Sequence, residues 1–310
     1  VFCGLVGKKS RKKNNQAPEG MSRRQAKLAA RAAERAALLG NPRPFKDFDE
    51  EADIVAVREF APAVVIPVTV ADAERDIKLC TVLPGGVAAL TRAADQGNEA
   101  FVALQTQART NDGAADLSRA LAWARDAEPG QQLSAATDGE AAPLTDVLTA
   151  VDLDNMEVHQ DFEWWIPKGI ERTPMIEQNL AVANDAILPS YRLDAKVAGA
   201  VWWIDPGERA HIRWVRREDE KPLLDALARV HAADNLSLGE GTKFAGVFRT
   251  DGLLVPVWDL DNTKPHDHWI AAVEEADKRI AEALASEEPL TAEERKSRET
   301  IVSRQVTIRN

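Results

Sequence analysis

GAVWWIDPGERAHIRWV (199–215) and FAGVFRTDGLLVPVW (244–258) decide the fold. In each, two β-branched and aromatic runs are separated by a turn: Asp205-Pro206-Gly207-Glu208 in the first and Asp251-Gly252 in the second. Pro206 presets φ for the second turn position and Gly207 supplies a positive φ, while Asp-Gly between alternating hydrophobic residues is a strong short-range hairpin signal. Two antiparallel hairpins are therefore expected. The residues between and after them are helical. Leu223, Leu224, Leu227 and Val230 form an apolar stripe over 219–233, with Pro222 tolerated in the first turn. Trp269, Val273, Ile280 and Leu284 form another over 267–286, and Thr291 with Glu294 has capping-box spacing.

Toward the N-terminus the signals weaken. Residues 77–83, 87–92 and 99–106 read as strands, punctuated by Pro84-Gly85-Gly86 and Asp95-Gln96-Gly97-Asn98. A helix is expected from Asn111 or Asp112 to Glu128-Pro129-Gly130, with Leu117, Leu121, Trp123 and Ala124 at helical spacing. Residues 131–150 give the weakest pattern, with a short helix in 144–151, and mark a candidate seam. A further helix is expected over 175–187. Both halves thus read as hairpin followed by helix, as in a degenerate pseudo-repeat. The fold class is α+β: mainly antiparallel sheet with helices on one face, preceded by a basic helix. A doubly wound α/β fold is the runner-up.

The 310 residues carry a net charge of −11, which conceals a partition. Residues 1–40 hold ten Lys/Arg against two Glu, a charge of +8, so the remaining 270 sum to −19. An acidic body repels phosphate backbones, so nucleic-acid contact is expected only through the basic arm. Within it, residues 1–21 read as a disordered tail. Residues 22–40 read as a helix opened by Ser22 and Gln25 and closed by Gly40. Lys8, Lys9, Arg11, Lys12, Lys13, Arg23, Arg24, Lys27, Arg31 and Arg35 are the candidate contacts for RNA, ribosome or an acidic protein surface. The acidic body is expected over 41–290 and a C-terminal helix and tail over 291–310. A chain opening on Val1 fits a literally translated GTG start codon, with Val6 a second such start.

No run approaches the ~18 apolar residues of a membrane span. Cys3 and Cys80 are too few for a disulfide scaffold or a four-thiolate zinc site, so a cytoplasmic protein without cofactor is expected. The oligomeric state is left open.

Three stretches carry candidate chemistry in the body. In 156–166, strand alternation puts Met156, Val158, Phe162, Trp164 and Ile166 on one face. Glu157, His159, Asp161 and Glu163 then share the other, as candidate acid/base or metal-binding groups. His266 and His268 flank Asp267 as candidate metal ligands, with Asp267 equally suited to cap a helix. Trp202, Trp203 and Trp214 are candidates for lining a ligand pocket rimmed by Glu157, His159 and Asp161. Adjacent Trp202 and Trp203 face opposite sides of their strand, so at least one is core. The Gly-rich loop 238–243 leads into a strand, whereas phosphate-cradling loops lead into a helix, so it reads as a connector.

VPVWDLDNT (255–263) resembles the first motif of haloacid dehalogenase-type phosphatases, but fewer than fifty residues follow it. Asp259 to Thr263 therefore read as a loop after an edge strand. The phrases NPRPFKDF (41–48), VREFAPA (57–63), EVHQDFEWWI (157–166), the run 213–260 and PLTAEERKSRETIVSRQVTIR (289–309) together resemble an uncharacterised actinobacterial family, a domain of unknown function. The resemblance spans about residue 42 to the C-terminus and implies no activity. Some members are labelled topoisomerase II or preprotein translocase SecA. Tyr191 is the only tyrosine and has no topoisomerase context. The SEC-C-type zinc motif that some relatives carry is replaced here by the basic helix from Arg23 to Leu39. Taken together, the sequence favours a non-enzymatic binding protein that works through its arm. The alternatives are a small-ligand or metal-dependent enzyme built on the body, and an acidic scaffold with a solubilising tail.

Overall fold

The computed structural model describes residues 41–304, and the arm with its ten basic candidates lies outside the described residues. Of the described residues, those from Pro42 onward form one compact unit. Its first sheet contains β1 (Val64–Val70), β2 (Ile77–Cys80), β3 (Ala89–Thr91), β4 (Ala100–Ala103), β5 (Gln132–Leu133) and β6 (Leu148–Val151) in the order β5-β3-β4-β2-β1-β6. A short β7 (Glu157–Val158) also pairs with β1. The second sheet contains β8 (Ser190–Arg192), β9 (Ala200–Ile204), β10 (Ala210–Val215), β11 (Lys243–Thr250) and β12 (Leu253–Leu260) in the order β11-β12-β10-β9-β8. Every pairing in the second sheet is antiparallel.

The described helices are α1 (Glu51–Glu59), α2 (Gly113–Asp126), α3 (Leu144–Val147), α4 (Pro174–Asp185), α5 (Glu220–Ala232), α6 (Ile270–Leu284) and α7 (Ala292–Ser303). The architecture is α+β. None of the described helices is long and apolar enough to cross a membrane. The local signals resolve as expected: Asp112 caps α2 by accepting from Ala115 N, and Thr291 with Glu294 completes a capping box on α7. Asp251 and Gly252 both take positive φ, 43° and 77°, as a tight hairpin turn requires.

Alternation along the strands divides the core in two. Val64, Ile66, Leu79 and Val102 of the first sheet, Ile54 and Val57 of α1, Leu117 and Leu121 of α2, and Trp202, Ile204 and Val255 of the second sheet share one cluster. The opposite face of the second sheet, through Val201, Ile212 and Trp214, packs on Leu223 and Leu227 of α5 and Val273 and Ile280 of α6. Helix α1 sits in the shared core, and its buried Glu51 and Asp53 are held by Arg43 and Arg192 at 2.6 and 2.5 Å.

Three expectations are corrected. First, β2 and β3 do not form a hairpin: β2 pairs parallel with β4, and β3 lies on the far side of β4. Between them Gly85 and Gly86, both at positive φ, carry the chain around without pairing. Hairpin-then-helix order does occur in both halves, as β3–β4–α2 and β9–β10–α5, although the two sheets differ in strand order. Second, the strand expected over 156–166 stops after Val158. Asp161 Oδ1 accepts from Glu163 N at 3.0 Å and Asn184 Oδ1 accepts from Phe162 N at 2.8 Å, which bends the chain into a 3₁₀ turn at Glu163–Trp165. Third, β12 is not an edge strand but runs between β11 and β10. Its ladder to β10 breaks at Pro256, which has no N–H to give, and resumes as a bridge from Arg216 to Leu254.

Candidate functional site

The outer face of the first sheet, turned away from the shared core, forms the floor of a cleft of about 690 Å³. That volume lies within the range of small-molecule sites. Register explains the floor: Lys78, Phe101 and Leu90 stand in one row across β2, β4 and β3, with Val65 of β1 opposite Cys80. One wall is the β3–β4 loop, where Arg92 is followed by a 3₁₀ turn at Ala94–Gln96, then Gly97 at φ 108° and Asn98 at φ 49°. The other wall is the segment from Glu157 through Lys168, folded over the sheet by the Asp161 and Asn184 contacts.

Aromatic rings and charges alternate around this space. Phe101 and Trp164 lie 5.7 Å apart between centroids, and His159 lies 6.0 Å from Trp164. Two cations sit on the Phe101 ring: Lys78 Nζ at 5.7 Å and Arg92 Cζ at 5.1 Å from its centroid. Lys78 is paired with Glu99 at 2.7 Å. Arg92 donates from Nη2 to the Trp164 carbonyl at 3.1 Å and forms no ion pair among the described residues. Burial holds its guanidinium below the ordinary arginine value, against the opposing pull of Glu99. Trp164 Nε1 is buried without a hydrogen-bond partner. His159 Nε2 lies 3.0 Å from Glu157 Oε2, close enough for a charge pair but without hydrogen-bond geometry.

Three of the four strand candidates, Glu157, His159 and Glu163, line this cleft, and Asp161 does not. Asp161 is used to cap the turn, and Glu163 is paired with Arg172. They do not act as one alternating face, because the strand that would align them ends at Val158. Cys80 is on the same face of β2 as Lys78, packed with Val65 and Phe101 and fully buried, and burial pushes its thiol above the ordinary range, so it is protonated and shielded. The lining therefore supplies recognition chemistry: an apolar floor, a guanidinium without an ion pair and hydrogen-bonding walls.

The other candidates are placed elsewhere. His266 stacks on Tyr191 at 3.9 Å and 7°, while His268 meets Trp269 edge-on at 4.8 Å, so each imidazole packs on its own aromatic neighbour. Among the described residues, no group of three or more His, Cys, Asp or Glu side chains could hold a metal ion. Trp202 and Trp203 do face opposite sides of β9, but both are core, as is Trp214, whose Nε1 donates to Ala198 O at 2.7 Å. The cleft tryptophan is Trp164 instead. Asp259, from the phosphatase-like motif, faces His211 across β10 and β12 at 3.0 Å, and Asp261 caps Thr263. Thr242 closes the Gly-rich loop by donating to Gly239 O at 2.7 Å.

Lys78, Arg92, Glu99 and Phe101 were not legible as site residues. Lys78 carried one signal, a charge between Ile77 and Leu79 in a short apolar strand, which places it on the face opposite to theirs.

A family model described as a family of unknown function, DUF5926, matches residues 44–309. No curated protein and no solved structure matches the chain.

Proposed function

The chain belongs to the DUF5926 family of unknown function, and from that premise we propose that its acidic body is a small-ligand binding module, non-enzymatic, with the cleft over β1, β2 and β4 as the binding site. The observation that carries this reading is the aromatic-floored space of about 690 Å³ with charged walls. Two other surface hollows among the described residues have no aromatic residue in their lining. The one between α5 and the α6–α7 connection is lined by Lys221, Arg229, Arg295 and carboxylates, and the one beside Asp234 and Gly239 is shallow. Soaking crystals with a small-fragment library tests the proposal. Fragments should gather between Phe101, Trp164 and the 92–99 loop, and a set of hits that avoids this cleft would contradict it.

A second contact is supported by the charge partition. We infer that the arm, through Lys8, Lys9, Arg11, Lys12, Lys13, Arg23, Arg24, Lys27, Arg31 and Arg35, binds RNA phosphates without sequence preference. Affinity for a labelled single-stranded RNA should fall with salt at a slope near −0.7 per neutralised phosphate, so about −7 if all ten engage. Replacing the five basic residues of 8–13 by Gln should lower that slope by about half. Binding indifferent to salt, or unchanged in the substituted chain, would overturn this reading.

A further inference from the structure

Among the cations that line the cleft, Arg92 is the one set against its aromatic floor without a carboxylate partner. Lys78 is neutralised by Glu99 at 2.7 Å, and Glu163 has Arg172. Arg92 has a single acceptor, the Trp164 carbonyl, although a guanidinium carries five N–H donors. Arg43, Arg58, Arg119, Arg192, Arg216, Arg217 and Arg249 each meet a carboxylate within 3.5 Å. The residues after the arm sum to −19, so carboxylates are not scarce. Arg213, nine-tenths buried under Phe60, and others such as Arg75, Arg229 and Arg279 also form no ion pair among the described residues, but none of these lines the cleft. Arg92 faces the open cleft.

A partly desolvated guanidinium whose remaining donors open on the cleft is suited to an anion, and a carboxylate or phosphate matches its planar fork with two parallel hydrogen bonds. Behind the charge, Phe101 with Val65, Ile166 and Pro167 offers an apolar surface for the rest of the ligand. Resting on the small-ligand reading above, we propose that the cleft binds a small organic anion, a carboxylate or phosphate monoester on an apolar or aromatic body, with Arg92 holding the anionic group and Phe101 and Trp164 the body. Glu157 and Glu99 at the walls then repel molecules that carry a second anionic group, which favours a ligand with one anionic group.

The test is a titration of the full chain followed by the Trp164 indole N–H resonance, assigned with Trp164→Phe, using phenyl phosphate, benzoate, benzyl alcohol and inorganic phosphate as probes. Hydrogen bonds to a charged group are worth roughly 1.5–3 kcal/mol, about 10- to 150-fold in affinity. Phenyl phosphate or benzoate should therefore bind at least about tenfold more tightly than benzyl alcohol. Arg92→Met, which keeps the stem over Phe101, should remove that advantage, and Arg92→Lys should restore part of it. If Arg92→Met does not fold, the salt dependence of the wild-type chain decides: anion binding must weaken with salt while benzyl alcohol binding does not. Equal binding of benzyl alcohol, or anion binding unchanged in Arg92→Met, would overturn the anion assignment and leave the cleft as a ligand site. Inorganic phosphate binding as tightly as phenyl phosphate would overturn the organic part. No response of any cleft resonance to any probe would overturn both readings.

Discussion

Arg216 is the most deeply buried charge in the second half of the chain, 1 % exposed, and replacing it by Met should separate charge pairing from packing. Its Nη1 donates to Asp277 on α6 at 2.6 Å, its Nε and Nη2 donate to Glu218 just before α5, and its Cζ lies 4.7 Å from the Trp214 ring centroid. Asp277 in turn accepts from Ala198 N at 3.3 Å, so one guanidinium joins β10, α6 and the loop before β9. Met keeps the apolar stem and removes the charge. Removing one partner of a buried pair costs about 3–5 kcal/mol, and the lower end applies here because both carboxylates retain some exposure. At about 2–4 °C per kcal/mol, the melting temperature at pH 7 should fall by about 6–12 °C.

The pH dependence fixes the cause. Burial by itself would raise the Glu218 carboxyl, but the hydrogen bond and charge of Arg216, helped by backbone N–H groups, hold it below the ordinary glutamate value. The stability this contributes is present above the unfolded value of about 4.3 and is lost as pH falls through the lower folded value. In Arg216→Met burial dominates, the folded value rises, and the carboxylate destabilises the fold at neutral pH. The gap between the two proteins should therefore be widest at pH 7 and shrink below about pH 4. Urea unfolding at 25 °C across pH 3–7 measures it. A gap of under about 1 kcal/mol at pH 7, or one that does not narrow in acid, would refute the reasoning.

Gly199→Ala and Gly139→Ala form a matched pair, with φ of 80° and 91°. A Cβ at 139 meets nothing within 4 Å and should cost about 1–2 kcal/mol for the left-handed backbone alone. At 199 it would stand 2.1 Å from Val215 O, so the loss in urea unfolding should exceed that by at least about 2 kcal/mol. Iodoacetamide at pH 8 should leave the Cys80 peptide unlabelled in the folded protein and label it in denaturant, as mass spectrometry of digests will show, because burial keeps the thiol protonated and covered. His211 should titrate below the ordinary imidazole value in NMR, since burial lowers it more than Asp259 raises it, and Asp259→Asn should lower it further. The unfolded state then binds that proton more readily, so His211 removes stability as pH falls through about 6.5.

Legibility followed the range of the interactions involved. The turns at Pro206-Gly207 and Asp251-Gly252, the Asp112 cap and the Thr291–Glu294 capping box are set by neighbours in sequence, and each formed where the local chemistry placed it. The alternation over 156–166 was equally regular, but Asn184, some twenty residues on, captures Phe162 N and turns the strand into a loop. Most of the cleft was hidden for the same reason. Lys78 and Phe101 meet through the parallel pairing of β2 with β4, and Arg92 reaches Trp164 across 72 residues, neither of which leaves a mark on sequence spacing. The tryptophans that drew attention, Trp202 and Trp214, are large apolar side chains filling the core, where such residues are most stable.

The central claim is that the acidic body captures a small organic anion in the cleft over the first sheet. The most direct measurement incubates the wild-type chain and Arg92→Met side by side with a protein-free small-molecule extract, removes unbound solutes, and identifies what each retains by mass spectrometry. The account predicts one or a few compounds with one carboxylate or phosphate group on an apolar or aromatic body on the wild type, and their loss from Arg92→Met. Retention of nothing by the wild type, or of the same compounds by both proteins, would contradict it.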